Sequence, residues 1–376
     1  MSDSKQNRIY FYGLDEIRAI AALLVYFHHV ELFKKRESHP SLYEFKYTGN
    51  FISNIGHNSV ICFFVLSGFL ITYLLLKEKE KIGTVKIREF YIRRILRIWP
   101  LYFFVTFIGF VLLPVLGKLF NFQGQAYYPS LIEKIDYNAL PMYLLFLSNI
   151  ALLFYKPIAG AAQSWSVSVE EQFYLIWPNI VKFSKGVKQA FIFILILFLI
   201  KIGANYFSYS IFGKQSIIPA ILSKVSIEYM CVGAFGAFVI FSEKLRAPAS
   251  IFLKNKLALV GILILIILEC VKYNHTLALA FLFILLILML VTQEIKIKFL
   301  KPFGKISYGI YMLHPLCIFI SFSIASQFKT EVMFNLVLYS LSFVLTILIS
   351  MASYKYLEMP FLKRKEKFAI IQSGSV

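Results

Sequence analysis

Residues 13–29 read GLDEIRAIAALLVYFHH. The run is apolar enough for a membrane helix, expected from about Leu14 to Phe33. Two of its residues do not belong in oil. Arg18 enters the apolar run, and His29, next to His28, closes it. Eleven helical steps come within about 20° of whole turns and rise roughly 16 Å. Arg18 and His29 therefore share one face, about half a bilayer apart, while His28 points roughly 100° away. An ionisable group at the centre of a membrane helix costs about 2.5–3.5 kcal/mol on insertion scales and usually faces a polar interior. Two readings are open. This face lines a reaction site, or Arg18 snorkels to one interface while His29 sits at the other.

The surrounding chain is that of a membrane protein. Its 376 residues are 59% hydrophobic and 17% aromatic, with a mean hydropathy of +0.71. The expected fold is all-α, a polytopic integral membrane helical bundle that forms a single domain over residues 1–376. The net charge of +19 would point to nucleic acid in a soluble protein. Here the basic residues gather between apolar runs, so the positive-inside rule accounts for most of the excess and no nucleic-acid partner is expected. Membrane lipids and phosphorylated substrates are the anions such loops attract. No signal-peptide pattern is seen in MSDSKQNRIYFYG. Cys62, Cys231, Cys270 and Cys317 sit in or beside apolar runs without metal-ligand spacing. They read as small packing residues, and no metal site is expected.

The second span reads from about Val60 to Leu76, with Ser67-Gly68 in its middle as a close helix contact. The charged loop after it, KEKEKIGTVKIREFYIRR, reads as cytoplasmic and places the N-terminus inside too. The third helix, about Tyr91 to Leu116, opens on YIRRILRIWPLY. Arg93, Arg94 and Arg97 stand three and four residues apart and present one cationic face. This is a membrane-edge anchor beside Trp99 or a phosphate clamp, because guanidinium forks match phosphate oxygens. Residues 121–138 read as a loop. Runs at 139–155 and 173–183 follow, with GAAQSWSVSVEEQFY between them. Glu170 and Glu171 either favour a helix N-terminus capped by Ser168, or one of them turns inward to orient a base or bind a hydroxyl. Later runs lie at about 190–212, 229–241, 257–271, 277–292, 306–324 and 333–356. Lys201, inside one of them, snorkels or faces the interior. The basic tail KRKEK reads as cytoplasmic. Both ends inside require an even number of crossings, and eleven runs are present. About ten transmembrane helices are expected, with one of the two short runs between 139 and 183 re-entrant or packed within the bundle.

No P-loop, dinucleotide fingerprint, HExxH or GxSxG is present. In ISYGIYMLHP, Tyr311 and His314 are three apart and share a face, as part of an aromatic belt or of a site. Five segments in order, GLDEIRAIAALLVYFHH, FFVLSGFL, FYIRRILRIWPLY, SWSVSVEEQFYLIWP and GKISYGIYMLHP, resemble the acyltransferase 3 family of bacterial integral-membrane acyltransferases. The resemblance covers most of the chain. Its Arg-x10-His pattern falls on Arg18 and His29 and implies catalytic roles for them, with Glu170 as a third. Its Arg-x-x-Arg pattern falls on Arg94 and Arg97, which with Arg93 would bind the donor. Trp165, Tyr311 and His314 are the expected substrate-binding residues. A C-terminal SGNH esterase-like domain, carried by some members, is not expected here.

The resemblance implies O-acylation at the bacterial inner membrane. An acyl group, most often acetyl, would pass from cytoplasmic acyl-CoA to a hydroxyl of a carbohydrate or lipid-linked glycan acceptor. Acyl-CoA would be a donor substrate, with no permanently bound cofactor. A separate acyl-accepting or polysaccharide-assembly protein is a further expected partner. Imidazole suits the proton transfer, so His29 is the expected general base, ahead of a covalent acyl-histidine. The rival classes are a transporter or flippase for an envelope precursor, since intramembrane ionisable residues also mark substrate pathways, and an accessory subunit of polysaccharide assembly.

Overall fold

The computed structural model describes residues 8–374 except 47, 120–126 and 214. It is a helical bundle, as expected, and two-residue strands are the only extended pairing among the described residues. Helix α1 runs Leu14–Arg36. Gly13 precedes it at φ 84, a left-handed conformation open to glycine. Asp15 and Glu16 in the first turn and Lys34, Lys35 and Arg36 in the last complement the helix dipole. Helix α2, Gly49–Ile82, is 34 residues long and stops at Gly83, φ 74. Helix α3, Ile87–Phe107, continues through a π-turn, Ile108–Leu112, into Leu113–Leu119. Part of the loop expected at 121–138 lies outside the described residues, and Tyr127–Glu133 within it is helical.

The run at 139–155 is the one that fails to cross. It breaks into Leu140–Leu144 and Ser148–Phe154, five and seven residues long, far below the roughly 17 a span needs. Phe146 turns left-handed between them at φ 55. The turn is closed by the Leu147 N–H on the Met142 carbonyl at 2.7 Å. Gln172 donates to the Phe146 carbonyl at 3.1 Å and exchanges bonds with Asn149. Helix α4, Ser164–Phe183, is continuous and carries Gln172. It begins before Ser168, which is buried and bonds Ser148 at 2.7 Å rather than capping the helix.

The remaining long helices are α5 (Val187–Phe212), α6 (Glu228–Phe241), α7 (Lys256–Leu268), α8 (Thr276–Gln293), α9 (Ser307–Ala325) and α10 (Glu331–Ala352), followed by the short α11 (Met359–Glu366). Seven described helices are long and apolar enough to cross a membrane, or eight when the bent pair around α7 counts as one. Charged side chains in α1, and charged and polar ones in α4, keep these two out of that class, and with them the number is nine, or ten with the bent pair.

Helices α2 and α6 cross with their backbones in contact. A Cβ at Gly68 would stand 2.0 Å from the Met230 carbonyl oxygen, and one at Gly233 2.0 Å from that of Val65. This close approach is the use the Ser67-Gly68 pair predicts. At one end of the bundle β1 (Arg8–Ile9) pairs in parallel with β2 (Gln372–Ser373). Both described chain ends therefore lie on the same side.

Candidate active site

A cavity opens at the end of the bundle that carries β1 and β2, and Ile9 and Ser373 line it. Its empty volume, open mouth included, is about 1290 Å³. Its walls come from α1, α2, α3, α4 and α9. Arg18 faces it from α1 and is paired with Asp15 at 3.2 Å, one turn back. Tyr10 donates to the other Asp15 oxygen at 3.2 Å. Burial, then the Asp15 charge, pushes the Tyr10 phenol well up, so it stays a donor.

Arg94 and Arg97 face the same cavity from α3. Among the described residues neither has a carboxylate within 4 Å. The Arg94 Nε is buried without a hydrogen-bond partner, and its guanidinium lies 5.6 and 5.8 Å from the Phe90 and Tyr174 rings. Glu170 lines the same cavity and accepts from the Tyr174 hydroxyl at 2.8 Å. That hydroxyl also reaches Ser67 of α2 at 3.2 Å. Glu171 is turned out of the cavity, with Oε1 buried and unpartnered.

A smaller cavity adjoins the first and shares Arg94 and Ser373 with it. Arg93 and Lys365 line it. Arg93 is already engaged: one nitrogen donates to Glu78 and the other to the Phe368 carbonyl, both at 2.8 Å. It ties the C-terminal segment to α2 and α3, whereas Arg94, Arg97 and Lys365 have no carboxylate partner among the described residues.

The histidines form a separate group. Tyr311 of α9 lines the large cavity and shares a 2.7 Å hydrogen bond with Ser166 of α4. Its ring lies 6.2 Å from that of His314, which lies 4.8 Å from that of His29. His28 stands 4.9 Å further on, edge to face. The one-face placement of Arg18 and His29 thus holds: Arg18 meets the cavity and His29 meets α9. His29 itself does not line the cavity, and the Tyr311–Ser166 pair stands between the arginine half and the histidine half. His28 is turned to the Ile52 carbonyl at 2.7 Å and to Tyr43 at 3.2 Å. Burial raises the Tyr43 phenol to about 12.

The family model described as an acyltransferase domain, of the acyltransferase 3 type, matches residues 11–355. The chain belongs to the acyltransferase 3 family. A Staphylococcus aureus (strain COL) protein named "Putative O-acetyltransferase" is 28% identical to this family member over 383 residues. The match covers 94% of this chain and 58% of the relative. The "Peptidoglycan O-acetyltransferase OatA" of Listeria monocytogenes is 27% identical over 195 residues, covering 50% of this chain and 26% of the relative. The chain thus spans less than two thirds of the length of the curated relatives it matches. No solved structure matches.

In this acyltransferase 3 chain the expected site residues other than Arg93 sort into three groups. Arg18, Arg94, Arg97, Glu170 and Tyr311 share the large cavity. His29 and His314 touch each other beyond it. Trp165 joins neither: it lies stacked 6.4 Å from His57 and edge-on to Phe64. Sequence reasoning missed Lys365 and Ser67. Lys365 reads as one more charge in a basic tail, and Ser67 as a small packing residue; no local signal in the sequence singles out either.

Proposed function

We propose that this chain is a membrane O-acyltransferase that moves an acyl group, acetyl first of all, from acyl-CoA to a hydroxyl of an envelope carbohydrate. The observation that carries the reading is the convergence of Arg94, Arg97 and Lys365 on two joined cavities, none of the three within 4 Å of a carboxylate among the described residues, though Glu170 lines one cavity and Glu366 the other. Three cations gathered without a directly paired carboxylate are costly, and an anionic ligand relieves that cost. The phosphates of a coenzyme A thioester meet that need, and guanidinium forks suit them. The names of the relatives support O-acetylation as the reaction and peptidoglycan as one acceptor class.

In this reading the end bearing β1 and β2 faces the cytoplasm of a bacterial inner membrane. The basic end of α2, with Lys77, Lys79 and Lys81, lies there and obeys the positive-inside rule. The donor enters from that side with its phosphates on Arg94, Arg97 and Lys365 and its acyl end toward Tyr311. Asp15 holds Arg18 and Tyr174 holds Glu170 in the cavity wall. His29 is the general base. Its Nδ1 is 2.8 Å from the Val25 carbonyl, which only accepts, so Nδ1 keeps its proton and Nε2 bears the lone pair. Nε2 removes the proton from the acceptor hydroxyl. The oxygen attacks the thioester carbonyl, the C–S bond breaks with its electron pair on sulfur, and the proton returns to the thiolate.

Transfer of radiolabelled acetyl from acetyl-CoA by membranes containing the protein tests the donor site. Arg94→Ala and Arg97→Ala each remove a charge-assisted contact of about 1.5–3 kcal/mol. Each is expected to lower kcat/KM about 10- to 100-fold, mainly through KM for acetyl-CoA. Unchanged KM in both variants would contradict the assignment.

A further inference from the structure

His314 is fully buried on α9, and its Nε2 has no hydrogen-bond partner. Its Nδ1 is 2.9 Å from the Ile310 carbonyl, one turn back on the same helix. The arrangement repeats that of His29, whose Nδ1 meets the Val25 carbonyl at 2.8 Å. A carbonyl only accepts, so both rings keep the proton on Nδ1 and both carry a lone pair on Nε2, turned away from the parent helix. The rings are in contact, with centroids 4.8 Å apart and planes at 58°. As two neutral bases they have no hydrogen bond to give each other. A buried polar nitrogen left in that state is unfavourable and asks for an explanation. One added proton supplies it, because an N–H of an imidazolium and the lone pair of a neighbouring imidazole form a strong, charge-assisted bond.

We infer that His314 is a positioning residue for His29 and that the pair holds one proton between them during transfer. The inference rests on the acyltransferase reading and on His29 as its base. When the acceptor O–H bond breaks, the proton goes to His29 Nε2. Once the new ester has formed, that N–H turns to the His314 Nε2 and is held there. It is then returned through His29 to the sulfur of the departing thiolate, which leaves as the thiol. No proton or electron pair is left over. His314 touches neither donor nor acceptor; it acts by giving the imidazolium a partner at a buried position.

Acetyl transfer from acetyl-CoA by the full-length protein in membranes, normalised to the amount of protein, tests this with three variants. His314→Leu removes the acceptor atom. His314→Asn keeps a polar side chain at the buried position but falls short of His29. His314→Gln restores both reach and an accepting oxygen. Loss of a charge-assisted bond is expected to lower kcat about 10- to 100-fold in the Leu and Asn variants. KM for acetyl-CoA should stay at the wild-type value, and the Gln variant should recover at least about a third of the wild-type kcat. Wild-type kcat in His314→Asn, or equal loss in Asn and Gln, would overturn the pairing while leaving the reaction standing. Full transfer by His29→Ala alone would overturn the reaction assignment itself, and the pairing with it.

Discussion

Lys201 shows what a single residue discloses and what it does not. A lysine inside an apolar run is visible at once as a group that snorkels or turns inward. The structure turns it inward: Nζ is 2.6 Å from the Asn205 oxygen, 2.7 Å from the Leu222 carbonyl and 3.7 Å from Glu228. Its partner is 27 residues away on α6, and no local pattern points there. Removing one member of a buried ion pair leaves the other uncompensated, at a cost of about 3–5 kcal/mol. Glu228→Ala is therefore expected to lower the melting temperature in detergent, and the double variant Lys201→Met/Glu228→Leu to restore most of it. A Glu228→Ala protein that melts like wild type would show that the pair adds nothing. The same logic separates the arginines. Arg94 and Arg97 stand on one helix at a spacing that puts them on one face, so their convergence is legible. Arg93 looks equivalent in sequence, yet it is satisfied by Glu78 and the Phe368 carbonyl, which only folding brings near. Lys365 reaches the site from the far end of the chain and is illegible for the same reason.

At the scale of the element, length and hydropathy carry most of the fold. The apolar runs become helices close to where they were expected, and the stretch from 139 to 183 is recognisable as holding one run too short to cross. Which of the two short runs fails is decided by tertiary bonds: Gln172 to the Phe146 carbonyl and to Asn149 hold the broken segment against α4. Charged and polar side chains hide α1 and α4 from a hydropathy count, and these two helices carry Arg18, His29 and Glu170. The packing of α2 on α6 is equally specific. Any side chain at Gly68 or Gly233 meets backbone at 2.0 Å, and backbone cannot swing aside as a flexible side chain can. Gly68→Leu and Gly233→Leu are each expected to push the helices apart, costing at least about 1–3 kcal/mol from overpacking. Folded yield by size-exclusion chromatography checks this; a monodisperse peak at wild-type yield would contradict it.

Across the whole molecule, the parallel pairing of β1 with β2 places both described chain ends on one side, as an even number of crossings requires. The four native cysteines are all buried, so a thiol reagent reads an introduced cysteine against a low background. Glu80→Cys, on the side of the chain ends, should label only after the membrane is opened in intact cells. Glu44→Cys, beyond the other end of α1, should label from outside. Both positions are exposed, and the reverse pattern would invert the orientation proposed for the donor cavity. The account as a whole stands on one claim, that His29 removes the acceptor's proton in an acyl transfer fed from the arginine cavity. Mass spectrometry of purified surface glycan from cells with wild-type protein, His29→Ala or no protein tests it most directly. The predicted result is an acetyl-sized increment on the glycan with wild-type protein only, the His29→Ala protein being present in the membrane at normal amounts. The same increment in all three strains, or in His29→Ala as fully as in wild type, would contradict it.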